Sequence, residues 1–308
     1  MDESKAKLDR RQVLECMVWA GTGIVWTLSG GVPSSRLIGE AKAEETGFSF
    51  VQMSDSHIGF SKPANPDTRA TLKEGIDKVK ALKAKPAFII HTGDVAHLAK
   101  PQEFDDAFQL IGDAKLDVHY APGEHDIVDP ATRDAYLARF GTGATGGGWY
   151  AFDHQGVHFV SLVNVVDLGK NGLGSLGAEQ LAWLENDLKG RSASTPIVVF
   201  AHIPLWMVAP DWGWGTSDGA QALGMLARFG SATVLNGHIH QIMQKVEGNV
   251  TFHTARSTAF PQPVPGTAPG PGPKLVPAGE LRKYLGVAEV LYSPKNAPLA
   301  ITDEALES

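Results

Sequence analysis

Phe48-Ser49-Phe50-Val51-Gln52-Met53-Ser54-Asp55-Ser56-His57 sets the pattern of the chain: a β-like apolar run hands over, at its C-terminal end, to an acid and a histidine. The same handover recurs four times. Ile90-His91-Thr92-Gly93 leads to Asp94, Ala121-Pro122-Gly123 to Glu124-His125-Asp126, Phe200-Ala201 to His202, and Leu235-Asn236-Gly237 to His238-Ile239-His240. Amphipathic, helix-like stretches fall between the β-like runs, over about 68–83, 101–114, 130–140, 177–188 and 218–229, and 149–162 reads as two antiparallel strands turning at Gln155-Gly156. This alternation predicts an α/β layered domain. In open α/β sheets ligands gather beyond the C-terminal ends of the strands, and a loop containing Gly turns sharply enough to aim side chains there. The five strand ends are therefore expected to converge on one rim.

At 308 residues the chain is long enough to enclose a core unaided, and no internal repeat or second domain is visible. Hydrophobic residues at 43% and charged residues at 20% sit within ordinary globular ranges and suggest neither a disordered nor a multi-span membrane chain. A net charge of −7 argues against binding duplex nucleic acid, which rests on many Lys and Arg contacts to phosphate. An anionic ligand would need local positive charge, which bound metal ions supply. The one cysteine, Cys16, leaves no disulfide framework, whereas all 11 histidines lie beyond residue 50.

Asp9-Arg10-Arg11-Gln12-Val13-Leu14 precedes an uncharged, moderately apolar stretch from Cys16 to Val32, the pattern of a twin-arginine export signal. Ala41-Lys42-Ala43 offers small residues for a signal peptidase, so residues 1–43 read as signal peptide and 44–308 as the mature domain, with a motif core at 48–256 and C-terminal strands and a Gly/Pro-rich loop at 257–308. The expectation is a periplasmic or otherwise exported protein, a client of the twin-arginine (Tat) machinery, with no stable membrane span after cleavage. The competing reading is an uncleaved anchor, because the 17-residue stretch would reach about 25 Å as a helix. Lipidation of Cys16 is unexpected, since charged Glu15 precedes it and the apolar run follows it.

Asp55, His57, Asp94, Glu124, His202, His238 and His240 are enough to fill two metal shells while leaving room for a bridging water and a substrate oxygen, the inventory of a dinuclear hydrolase. One carboxylate must bridge ions held roughly 3.5–4 Å apart. Asp94, after Gly93 in the middle of the order, is the expected bridge. His125 is the expected proton donor to a departing oxygen.

Asp-x-His, Gly-Asp, Gly-x-His-Asp, a lone His and Gly-His-x-His, in that order over most of residues 48–256, resemble the calcineurin-like metallophosphoesterase family. One such motif is a weak signal; five in order at strand ends are a strong one. The resemblance implies a double β-sandwich flanked by helices in four layers, and hydrolysis of a small phosphoester. It also implies one ion on Asp55, His57, Asp94 and His240, a second on Asp94, the residue at 124, His202 and His238, and His125 as proton donor. Histidine and carboxylate ligands suit Mn, Fe and Zn alike. Export of a folded, already loaded protein would favour a weaker binder such as Mn or Fe.

The family usually has Asn where this chain has Glu124. An ionised Glu124 would hold its metal more firmly and repel a dianionic monoester more than a singly charged diester, so a phosphodiester preference is expected. In the competing reading Glu124 is protonated or turned away and the site holds one metal. His97, three residues after Asp94, reads as an extra ligand, a residue behind the ligands or an exposed His; Asp126 has the first two of these readings. His91, His119, His154 and His158 read as packed or surface residues. Trp206, Trp212 and Trp214 follow His202 closely, and two roles stand: covering the substrate's base or leaving group, or pinning the loop. Residues 261–277 read as a surface excursion or linker. Two rivals to a diesterase are a monoesterase or nucleotidase and a metal-binding scaffold without catalysis, as in the retromer subunit of this fold. Exchanging both Arg10 and Arg11 for Lys should abolish export, and equal periplasmic activity of variant and parent after cell fractionation would refute the signal reading.

Overall fold

Ile197–Phe200 is four apolar residues in a row, and the two-residue period of a strand sends them to opposite faces. Ile197 and Val199 pack under helices, while Val198 and Phe200 join the layer between two sheets. Phe48 and Phe50 likewise face between the sheets, and Val51 and Met53 face helices. A strand buried on both faces needs a layer on each side, which is the origin of the four-layer arrangement.

The computed structural model describes residues 47–277, 279–294 and 296–307, plus three two-residue strands, Gly23–Ile24, Leu28–Ser29 and Val32–Pro33. The twin-arginine motif and the expected cleavage point after Ala43 lie outside the described residues. In chain order the elements are β1 (Phe48–Met53), α1 (Thr68–Lys80), β2 (Phe88–His91), α2 (Pro101–Gly112), β3 (Asp117–Tyr120), α3 (Pro130–Phe140), β4 (Tyr150–His154), β5 (Val157–Ser161), α4 (Gly177–Leu188), β6 (Ile197–Phe200), α5 (Gly219–Leu226), β7 (Ala232–Asn236), β8 (Met243–Glu247), β9 (Val250–Thr254), α6 (Leu281–Tyr284), β10 (Gly286–Ser293) and β11 (Asn296–Ala305). No helix among the described residues is long and apolar enough to cross a membrane.

One sheet has the order β11-β10-β1-β2-β3, with β1, β2 and β3 parallel and β10 and β11 antiparallel. The other runs Gly23–Ile24, β8, β9, β7, β6, β5, β4, parallel from β9 through β5. Helices α1, α2 and α3 cover the first sheet through Leu72, Ile76, Phe104, Ile111 and Tyr136; α4 and α5 cover the second through Leu181, Leu184 and Leu226. Local signals fix several boundaries. Asp67 caps α1 at the Ala70 N–H, and α3 opens with Pro130 behind an Asp129/Thr132 capping box.

The β-sandwich flanked by helices matches the expected fold class. The C-terminal region contains β10 and β11, of 8 and 10 residues, which complete the first sheet beside β1. Pro298 argues against a central strand, and β11 is an edge strand, where a missing N–H is tolerated. Residues 261–277 carry no helix or strand and fold back, Lys274 N–H donating to the Pro261 carbonyl at 2.8 Å.

Phe159, fully buried, lies between the sheets with Phe50, Phe88 and Phe152 at ring distances of 5.5, 5.3 and 4.8 Å. Phe159→Ala should cost about 3–5 kcal/mol in a denaturant titration, and a loss below about 1 kcal/mol would show that the layer can collapse around the gap.

Candidate metal centre

The loops leaving β1 and β2 run side by side. Asp55 and His57 donate their N–H groups to the Gly93 and Asp94 carbonyls, both at 2.9 Å. From the second sheet the Gly237 N–H reaches the His202 carbonyl, and the His238 N–H reaches Asp55 Oδ1 at 3.1 Å. The backbone is bent hard here: Asp55, His57, Asp94, His238 and His240 all have φ between 41° and 69°. That left-handed region costs an L-residue roughly 1–2 kcal/mol. Two glycines permit the close approach. A Cβ on Gly123 would strike the Asp94 carboxylate, and one on Gly237 would strike Ser54 Oγ and Asp55 Oδ2.

The side chains fall into two groups joined by Asp94. In the first, His57 Nε2 and His240 Nε2 face each other at 3.2 Å, and His240 Nε2 lies 3.2 Å from Asp55 Oδ1. In the second, Glu124 places one oxygen 2.9 Å from His202 Nε2 and the other 2.9 Å from His238 Nδ1. Asp94 Oδ2 is 3.5 Å from His57 Nε2 and 3.3 Å from His202 Nε2, so it reaches both groups. Tautomers are set from behind. His202 Nδ1–H donates to the Thr92 carbonyl at 2.6 Å and His240 Nδ1–H to the Phe260 carbonyl at 2.5 Å, leaving both Nε2 lone pairs pointing inward.

A test of fit comes from atoms left without hydrogen bonds. Glu124 Oε2, His202 Nε2 and both ring nitrogens of His238 are buried and make none, although Glu124 oxygens lie 2.9 Å from His202 Nε2 and His238 Nδ1. Buried nitrogen and carboxylate donors clustered within 4.8 Å of one another and left without hydrogen bonds are what a cation requires, and the donor set fits two divalent ions.

The charges agree. Burial would raise the Asp55 carboxyl, but His240 above all, with His202 and Ser54, pulls it down to about 2. Burial opposes ionisation of Glu124 as well, yet His238 and His202 hold it well below the usual carboxylate range. His202 is raised well above an ordinary histidine, burial being outweighed by Asp94 and Glu124. His57 goes the other way, lowered by burial and then by His240, His125 and His97.

His125 stands at the margin. Its N–H donates to Asp94 Oδ1 at 2.9 Å and its Nδ1–H to the His97 carbonyl at 2.8 Å, which leaves Nε2 available. Burial lowers its pKa, but Asp94 and Glu124 raise it further, to a net position above the ordinary value. Asp126 has neither a ligand's position nor a free oxygen: it accepts the N–H groups of Val95, Ala96 and Gly123 and ties the second loop to the third. Burial and Asp94 push its carboxyl up to about 7, against the pull of those donors. His97 lies behind His57, against the ring nitrogen opposite the one that faces Asp94.

The other histidines are packed as expected. His91 bonds Ser56 Oγ, His119 stacks on Phe152, His154 meets the Phe48 ring edge-on, and buried His158 joins Asp153 to Asp187. Among the tryptophans that follow His202, Trp206 and Trp214 are buried. Trp206 lies on Phe252, and Trp214 is fully buried against Ile239, between His238 and His240. Half-buried Trp212 packs edge-on against Trp214.

Sequence reasoning missed a supporting ring. Ser54 Oγ donates to Asp55 Oδ2, Thr92 Oγ1 to Ser54 Oγ, and Ser257 Oγ to the Asp55 carbonyl. Phe260 stacks on His57 at 4.8 Å, and Gln262 holds the His238 carbonyl at 2.8 Å. The available signal was a sixth polar strand end, Thr254-Ala255-Arg256-Ser257-Thr258, following β9.

Fold and site together define a metal-dependent hydrolase with a dinuclear centre between two sheets. The family model for calcineurin-like phosphoesterase matches residues 48–242, and the chain belongs to that family, whose reaction is hydrolysis of phosphoesters. It is 26% identical over 223 residues to the serine/threonine-protein phosphatase CPPED1 of Danio rerio, covering 63% of this chain and 70% of that one. It is 25% identical over 207 residues to the glycerophosphodiester phosphodiesterase GpdQ of Enterobacter lignolyticus, covering 64% and 71%. Among solved structures, a dimetal phosphatase from Danio rerio has the same fold, with a TM-score of 0.64 at 13% identity over 84% of this chain and 96% of that one.

Gly237→Ala should displace Ser54 and Asp55 and cut bound metal below one equivalent by elemental analysis, with the sheets intact by circular dichroism. Full metal content would show that the close approach at Gly237 is dispensable.

Proposed function

We propose that the chain hydrolyses phosphodiesters in preference to monoesters. The reading rests on Glu124, whose two oxygens lie 2.9 Å from His202 and His238 and whose pKa is held low by those same imidazoles. Asp55, Asp94 and Glu124 bring three negative charges to a site that fits two divalent ions, which leaves about one net positive charge. One charge matches a diester anion; a dianionic monoester is better matched by the neutral Asn usual at this position. The relatives' names include both a protein phosphatase and a glycerophosphodiester phosphodiesterase, so they do not choose between the esters.

In this reading Asp55, His57, Asp94 and His240 hold one ion, and Asp94, Glu124, His202 and His238 the other. When bound, the ions supply Lewis acidity to phosphoryl oxygens and acidify water. His125, with Nδ1–H fixed on the His97 carbonyl, gives its proton from Nε2 to the departing oxygen. Asp126 keeps the Asp94 and Glu124 loops in register. The substrate is a small phosphoester, the ions are Mn, Fe or Zn, residues 44–308 form the mature enzyme, and the twin-arginine segment sends it to the periplasm.

Turnover of bis-aryl and mono-aryl phosphates by the mature chain and by Glu124→Asn tests this. The parent should favour the diester, and the variant should move the diester-to-monoester ratio at least about tenfold toward the monoester, since a unit charge about 4 Å away is worth up to about 4 kcal/mol near a protein surface. Faster monoester cleavage by the parent, or an unchanged ratio in the variant, would refute the role given to Glu124.

A further inference from the structure

Two metal-facing imidazoles rest on the main chain: His202 on the Thr92 carbonyl and His240 on the Phe260 carbonyl. His57 is held differently. Its Nδ1 lies 3.4 Å from Nδ1 of another side chain, His97. The opposite face of the site meets the same residue. The His97 ring stacks on the His125 ring with centroids 4.9 Å apart and planes at 18°, and the His97 carbonyl accepts the His125 Nδ1–H at 2.8 Å. Phe60 closes over the His97 ring edge-on at 5.1 Å, which limits its rotation.

These contacts have a definite proton arrangement. With Nε2 of His57 committed to a metal ion, the His57 proton would sit on Nδ1 and be donated to the His97 Nδ1 lone pair 3.4 Å away. His97 must then be neutral, with its own proton on Nε2. The same ring fixes the plane of His125, whose Nε2 must point at the leaving oxygen.

We infer that His97 is a positioning residue serving both halves of the reaction: through Nδ1 it orients His57 toward the first metal, and through its ring face it orients the proton donor His125. A carbonyl in its place could serve His57 but not His125. An apolar ring could serve His125 but not His57. The inference rests on the two-metal reading of the site, and the parent protein's own metal titration distinguishes failure of that reading from failure of this one.

The experiment uses His97→Ala, His97→Asn and His97→Phe in the mature chain, with Mn²⁺ or Zn²⁺ affinity measured by chelator competition, and with kcat on bis-aryl phosphate at saturating metal across pH. The Ala variant should weaken one of the two metal equivalents about 10- to 100-fold and lower kcat with a changed pH profile. Asn, whose side-chain oxygen accepts from His57, should restore metal affinity more than kcat. Phe, which stacks but cannot accept, should restore kcat at saturating metal more than affinity. Equal behaviour of the three variants, or an Ala variant with both affinities and the pH profile unchanged, would overturn the inference. A parent chain that binds fewer than two ions would overturn it together with the metal-site reading beneath it.

Discussion

Three carboxylates, Asp55, Asp94 and Glu124, are drawn together at the rim between two sheets, and like charges there repel strongly unless something positive lies among them. Imidazoles supply part of the compensation, which is why Asp55 and Glu124 are held ionised and His202 is pushed toward its cation. Bound cations would supply the rest. Folding and metal binding are therefore linked: an ion that binds this arrangement and not the unfolded chain stabilises the fold by mass action.

The same crowding is written into the main chain. Five of the seven candidate ligand residues adopt φ values that L-residues avoid, and such strain persists only where the surroundings over-determine it. Here they do. The loop amides bond across motifs, Asp126 collects three N–H groups, Trp214 backs the Gly-His-Ile-His turn, and glycines stand where another motif's carboxylate must pass. The rigidity of the centre comes from motifs bracing one another, since no single loop would hold its own conformation.

What was legible in the sequence follows from range. Helix α3 and the β4–β5 hairpin could be read almost to the residue because Asp129-Pro130 and Gln155-Gly156 act locally. The gathering of acids and histidines at one rim was legible because such residues at the ends of apolar runs have few other uses. The length and pairing of the C-terminal strands were not, since β10 pairs with β1 from more than two hundred residues away and Pro298 disguises β11. The position of His97 was equally hidden: spacing puts it near Asp94 but cannot say that its ring faces His57 and His125. The burial of Trp206 and Trp214 is a tertiary outcome that periodicity does not carry.

Buried His253, on β9, joins Asp303 of β11 at 3.0 Å to Gln52 of β1 at 2.9 Å, and Gln52 donates to the Asn236 carbonyl, one residue before Gly237. With Ser257 and Phe260 behind Asp55 and His240, much of the scaffolding for the centre comes from residues later than 242, where the family match stops. The recognisable motifs and the mechanically necessary chain are thus different lengths. A lineage could vary much of this tail but not the side chains of Ser257, Phe260 and Gln262 that brace the centre, and a gene fragment trimmed to the shared motifs would inherit the acids and histidines without the frame that aims them.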